Sequence, residues 1–228
     1  MRRDSIRSES WTLSGTGKVQ GDVDVTRAQI DGSVSVKGKL LAVHVAVEGA
    51  IEVTGETRVA QTLAIHGTGR FESALRAQDL STQGSIEVAG TVEVPGRAQL
   101  NGHLIASGEL KIGQLDFKGR IETSGSWTAA SITGELEGAS RVPYIRVGPI
   151  RLSRARRFAR HGSSLTVDRI DATEAYLENV DCEFLCAERV TLGPGCHIAQ
   201  VEGKILRQHS SSYVGWESRS PPPHGLSR

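Results

Sequence analysis

Four side chains late in the chain, Cys182, Cys186, Cys196 and His197, carry the donor atoms of a tetrahedral zinc site. Their spacing does not suit one. Paired CxxC knuckles are absent, and Cys182 and Cys196 fall on inward positions of a strand pattern, where a free thiol behaves as a small hydrophobe. No metal site is assigned. Three cysteines are also an odd number, which makes a poor disulfide framework. His44, His66 and His103 are the candidates for acid–base work, but they fall at unrelated levels of the repeat with no carboxylates gathered around them. His44, between Val43 and Val45, is expected to face solvent. No catalytic residue and no cofactor are assigned, and the chain reads as a non-enzyme.

The strongest local charge signal is cationic. Between Gly138 and Val167 there is no acidic residue, while Arg141, Arg146, Arg151, Arg154, Arg156, Arg157 and Arg160 supply seven positive charges. Guanidinium forks suit phosphate, lipid headgroups or carboxylate-rich proteins, and Ile150, Leu152, Ala155 and Phe158 give the stretch a weak amphipathic character. The plain alternative is a solvated connector whose arginines keep an edge soluble. No groove-reading motif accompanies the arginines, so sequence-specific nucleic-acid binding is not expected. With a net charge of +1 over 228 residues, nothing global points to an anionic partner either.

What must position these groups is a repeat. Glycine recurs at Gly15, Gly32, Gly49, Gly67, Gly84, Gly102 and Gly119, at intervals of 17 or 18 residues. A second series, Gly21, Gly38, Gly55, Gly90, Gly108 and Gly125, keeps the same beat, with Ser73 where one more glycine would fall. Between glycines the apolar residues alternate with polar ones, the period of a strand. Three inward pairs recur per repeat, for example Val23 with Val25, Ala28 with Ile30, and Val34 with Val36. One unit copied down an axis, with three short strands and a turn after each, is an all-β fold, a three-sided parallel β-helix with 17–18 residues per rung. Both 18-residue repeats lengthen at one corner, between Val59 and Leu63 and between Val94 and Ala98. A corner tolerates the extra residue, whereas a slip within a strand would turn its inward set outward.

The pattern divides the chain. Residues 1–14 read as a flexible polar arm, 15–138 as the main β-helix, and 139–164 as the Arg-rich connector in which the glycine beat fails. Residues 165–206 read as a second, smaller β-helical block, pairing Leu165 with Val167, Ile170 with Ala172 and so on at a five-residue step. Residues 207–228 hold too little apolar content to fold alone and read as a disordered tail. Aromatics are only 4% of the chain, so the core is built from Val, Ile, Leu and Ala in narrow layers. No run reaches the 18 apolar residues of a membrane span, and the opening MRRDSIRSESW has no signal-peptide core, which leaves a cytoplasmic protein as the expectation.

The rungs GKVQGDVDVTRAQIDGSVSVKG resemble those of the bactofilins, polymer-forming bacterial cytoskeletal proteins. The stretch VDRIDATEAYLENVDCEFLCAERVTLGPGCHIAQVEGKI, with its LGPGC turn at Leu192–Cys196 and the pair Val201 and Glu202, is similar to the C-terminal part of a Firmicutes-type branch of that family. The resemblance implies a right-handed β-helix whose subunits join end to end into nonpolar filaments without nucleotide and act as scaffolds. The partner it implies is a further copy of the chain. Candidate joints are the two ends of the main helix, Val19, Val23 and Ile30 at one and Leu115, Phe117 and Ile132 at the other. If the second block docks on the C-terminal rung, the latter set is capped, and assembly has to use the N-terminal rung or the far end of that block. The alternative is a non-polymerising binding module whose arginine segment contacts an acidic partner or the anionic inner face of a membrane.

Overall fold

A computed structural model describes residues 2–3, 5–155 and 164–215. Strand makes up 82% of those residues and helix none, and the strands form a parallel β-solenoid of about 12 turns. The alternating runs become long, bent strands, most of which cover all three sides of a coil. They are β1 (Arg2–Arg3), β2 (Ile6–Val19), β3 (Val23–Val36), β4 (Leu40–Val53), β5 (Thr57–Phe71), β6 (Leu75–Val88), β7 (Val92–Ala106) and β8 (Leu110–Thr123). There follow β9 (Trp127–Leu136), β10 (Ala139–Val147), β11 (Pro149–Arg154), β12 (Ser164–Leu177), β13 (Val180–Leu192), β14 (His197–Gln208) and β15 (Tyr213–Val214). All belong to one sheet wound about the axis, so the second block continues the main rod: β12 pairs with β10 and β11, which pair with β9.

The inward pairs form the core. Val23, Ala28, Ile30 and Val36 are fully buried, and the residues in register with them in the next coil, Leu40, Val45, Val47 and Val53, are at most 2% exposed. Large rings enter only where a neighbour leaves room. Phe117 occupies the space that a side chain at Gly134 would need, and it meets Trp127 edge to face at 6.2 Å.

The first glycine series is a column at the corner between the second and third sides. Gly49 has φ of +127°, and a Cβ there would overlap the carbonyl oxygen of Gly32 in the coil before it. The second series lines another corner with ordinary φ but close backbone approach: a Cβ on Gly38 would sit 2.6 Å from the backbone of Gly21. The two extra residues are absorbed by register shifts at the first-to-second corner, as expected.

Three boundaries differ from the sequence reading. The N-terminal segment is not an arm from Ile6 onward, because β2 pairs residue by residue with β3 and buries Ile6 and Trp11. Gly15 marks a corner of that coil, and the coil begins nine residues earlier, at Ile6. Nor is the start of the Arg-rich segment a connector: β10 and β11 complete a coil, with Val142, Ile145, Val147, Ile150 and Leu152 buried beneath it. Ordered strand also runs on to Gln208, with β15 beyond it, past the boundary expected for the tail.

Coil length changes along the rod. Gly32 pairs with Gly49, a step of 17, whereas Leu165 pairs with Val180 and Asp181 with His197, steps of 15 and 16. At the shorter coils' corner, Asn179 (φ +53°) is the non-glycine residue in the left-handed region among the described residues, a conformation Asn tolerates.

Replacing Gly49 by Ala adds both a φ penalty and a backbone collision, and is expected to cost about 3 kcal/mol or more in denaturant unfolding. Gly15→Ala, at φ +88° with nothing near its Cβ, is expected to cost only about 1 kcal/mol.

Candidate functional site

Each proposed joint residue now has a place. Val19, on the N-terminal coil β2, lies between Arg3 and Val36 and is covered by β1, while Val23 lies between Ile6 and Leu40 and Ile30 between Leu13 and Val47, one coil in from the end. Leu115 pairs with Ala98 and Ile132, Phe117 with Leu100 and Gly134, and Ile132 with Ile150. All six are at most 5% exposed. They belong to the packed core and not to an open face, so a charge at Val23 or Phe117 would be buried.

Among the described residues the rod ends in β2 with β1 and in β14 with β15. At the N-terminal end Trp11 is 6% exposed and closes the core, while β1 covers only Lys18 and Val19. At the C-terminal end β15 covers only His197 and Ile198. Beyond that pairing, β14 has a strand partner on one edge alone among the described residues. Apolar side chains are uncovered at this end: on β14 Ile205 is 38% exposed and Leu206 55%, on β15 Tyr213 is 60% and Val214 38%, and these are the exposed large hydrophobics of the described residues. The adjacent Ile205 and Leu206, where strict alternation stops, are the sequence signal for this end.

The arginines do not form one patch. A five-residue step in a three-sided coil moves each to the next side. Register sets Arg141 on the third side beside Glu122, Arg146 on the first beside Thr128, and Arg151 on the second beside Thr133. Arg154 lies at the glycine corner, in register with Leu136. Arg156, Arg157 and Arg160 lie outside the described residues. Arg146 Nε donates to the Tyr144 hydroxyl at 3.0 Å, which in turn donates to Asp171 at 2.5 Å. Arg151 stacks over the Tyr176 ring at 4.7 Å, and Arg169 over Phe184 at the same distance.

Cys182 and Cys196 point into the core, and their thiols donate to the carbonyls of Phe184 (3.2 Å) and Leu177 (3.1 Å). Burial pushes them up from the ordinary 9.0 to about 12 and about 11. Cys186 is half-buried on the outer surface. His197 bonds Asp181 at 2.7 Å and stacks on Tyr213. Among the described residues no group of three or more His, Cys, Asp and Glu side chains could hold a metal. His103 accepts from Arg120 Nε at 2.9 Å. No helix among the described residues is long and apolar enough to cross a membrane.

Comparison with known proteins supplies no relative: no family model matches the chain, and no curated protein or solved structure does.

The thiol environment sets an alkaline limit. Above about pH 9 the unfolded chain sheds thiol protons that the native state retains up to about 11 to 12, so stability falls with rising pH in that window. Urea unfolding between pH 7 and pH 11 is expected to show the fall, and Cys182→Ala with Cys196→Ala to flatten it.

Proposed function

We propose that this chain is a structural subunit that assembles with copies of itself, end to end and without nucleotide, into a bactofilin-like scaffold. The observation that carries this reading is the C-terminal coil, where an open strand edge coincides with Ile205, Leu206, Tyr213 and Val214. An uncovered β edge beside apolar side chains is a template for another chain, and monomeric rods normally blunt such an edge.

Coil length bears on the kind of joint. The N-terminal coil steps by 17 residues and the C-terminal one by 16, so a head-to-tail joint would set coils of different perimeter against each other. Two copies meeting by the same end have identical perimeters about a two-fold axis. This favours nonpolar filaments of alternating direction. The scaffold reading assigns the chain no catalytic step or cofactor, and a cytoplasmic location goes with it. The arginine-recognition reading loses support, because the four described arginines of that segment are distributed over all three sides.

Negative-stain electron microscopy of the purified protein at low and high salt tests the proposal. Filaments are expected at both, since strand pairing and apolar burial are not screened. Ile205→Glu with Leu206→Glu is expected to leave discrete rods with unchanged circular dichroism. Filaments formed by that variant, or rods alone from the unaltered chain, would overturn the reading.

A further inference from the structure

The second side of the rod carries a trough that the scaffold reading does not use. Two depressions of about 500 and 430 Å³ meet at Thr133. They follow one register column from Ser81 through Gln99, Asp116, Thr133 and Arg151 to Tyr176 and Thr191. Six steps at ~4.8 Å give a length of roughly 29 Å.

The lining restricts what can lie there. From β6 to β13 every strand crossing the trough is paired on both edges by neighbouring coils, so along that length no backbone ladder is open to an extended peptide, and the trough reaches the open edge of β14 only at Leu206. The N-terminal half presents amides and hydroxyls, from Gln83, Gln99, Asn101, Thr133 and Ser153, rather than the apolar floor that a docked helix needs. Its ionic groups are already matched: Asp116 by Arg97 at 2.6 Å, Lys118 by Glu135 and Glu137.

The C-terminal half is cationic. Arg151 and Arg189 line it, and Lys204 and Arg207 continue the same columns one coil on. Glu174 also lines it and pairs with Arg189, so the lining keeps one net positive charge, centred on Arg151, to which Lys204 and Arg207 add, while Glu178 is engaged by the Tyr176 hydroxyl and the Arg154 amide. Tyr176 adds a half-buried aromatic surface between the cations.

A long run of neutral hydrogen-bonding side chains leading into guanidinium forks and a tyrosine ring matches a chain of hydroxylated rings bearing carboxylates. We propose that this side of the rod binds a linear acidic polysaccharide along its axis. Its negative groups lie on Arg151 and Arg189, and its hydroxyls on the amide-lined half.

Titration calorimetry of the full chain with polygalacturonate tests this, with dextran as the neutral chain and polyglutamate as the acidic peptide. Polygalacturonate is expected to bind, and dextran and polyglutamate to bind at least about tenfold more weakly. Arg151→Gln with Arg189→Gln, and separately Gln99→Ala with Asn101→Ala, are each expected to weaken binding about tenfold. Arg58→Gln with Arg76→Gln, on the first side, is expected to leave it unchanged. Circular dichroism verifies that each variant is folded, and the two trough variants are independent, so loss of one fold leaves the other as the test. Absence of polygalacturonate binding, equal binding of polyglutamate, or equal loss in the first-side variant would overturn the proposal.

Discussion

Coil-on-coil hydrogen bonding is the constraint on which the rest of this molecule depends. Each coil lends its backbone N–H and C=O groups to the coils above and below, so successive coils must superimpose almost residue for residue. That requirement explains the glycine columns. A corner that repeats with left-handed φ and with its carbonyl against the next Cα leaves no room for a side chain, as at Gly32 and Gly49. It also explains why inserted residues collect at a single corner, where a bulge leaves the inward pairs in phase. The same ladder cannot be completed at the two ends, which is where a solenoid's capacity to join other copies resides.

The rod is not uniform. The irregular coil of β10 and β11 separates 17–18 residue coils from tighter 15–16 residue ones, and it carries the register across the change. One consequence is that the former end of the main helix, around Phe117 and Ile132, is interior. Another is that the two ends have different perimeters and different chemistry. The N-terminal end is plugged by Trp11, while at the C-terminal end a mixed aliphatic and aromatic surface is left bare by the described residues.

The repeat, the inward pairs and the tolerant corner were all legible in the sequence, because period-two alternation and recurring glycine are direct images of strand and corner geometry. The limits of the helix were harder to read. Gly15 announces a corner but not the coil that precedes it, and Ile6 and Trp11 carry too little alternation between them to mark a strand. The arginine segment conceals its strands for a related reason. A run without acids resembles a connector, yet Val142, Ile145, Val147, Ile150 and Leu152 keep the inward pattern beneath it. Linear spacing also conceals direction on a three-sided coil, where arginines five residues apart diverge while Arg151 and Arg189, distant in sequence, line one trough.

The central claim is that the C-terminal coil is covered by another copy of the chain. Hydrogen–deuterium exchange as a function of protein concentration tests it most directly, because it reads the open edge itself. The account predicts that the amides of residues 200–208 gain protection as concentration rises while those of β3 to β8 stay unchanged. Unchanged exchange over 200–208 at concentrations where the protein is assembled would contradict it.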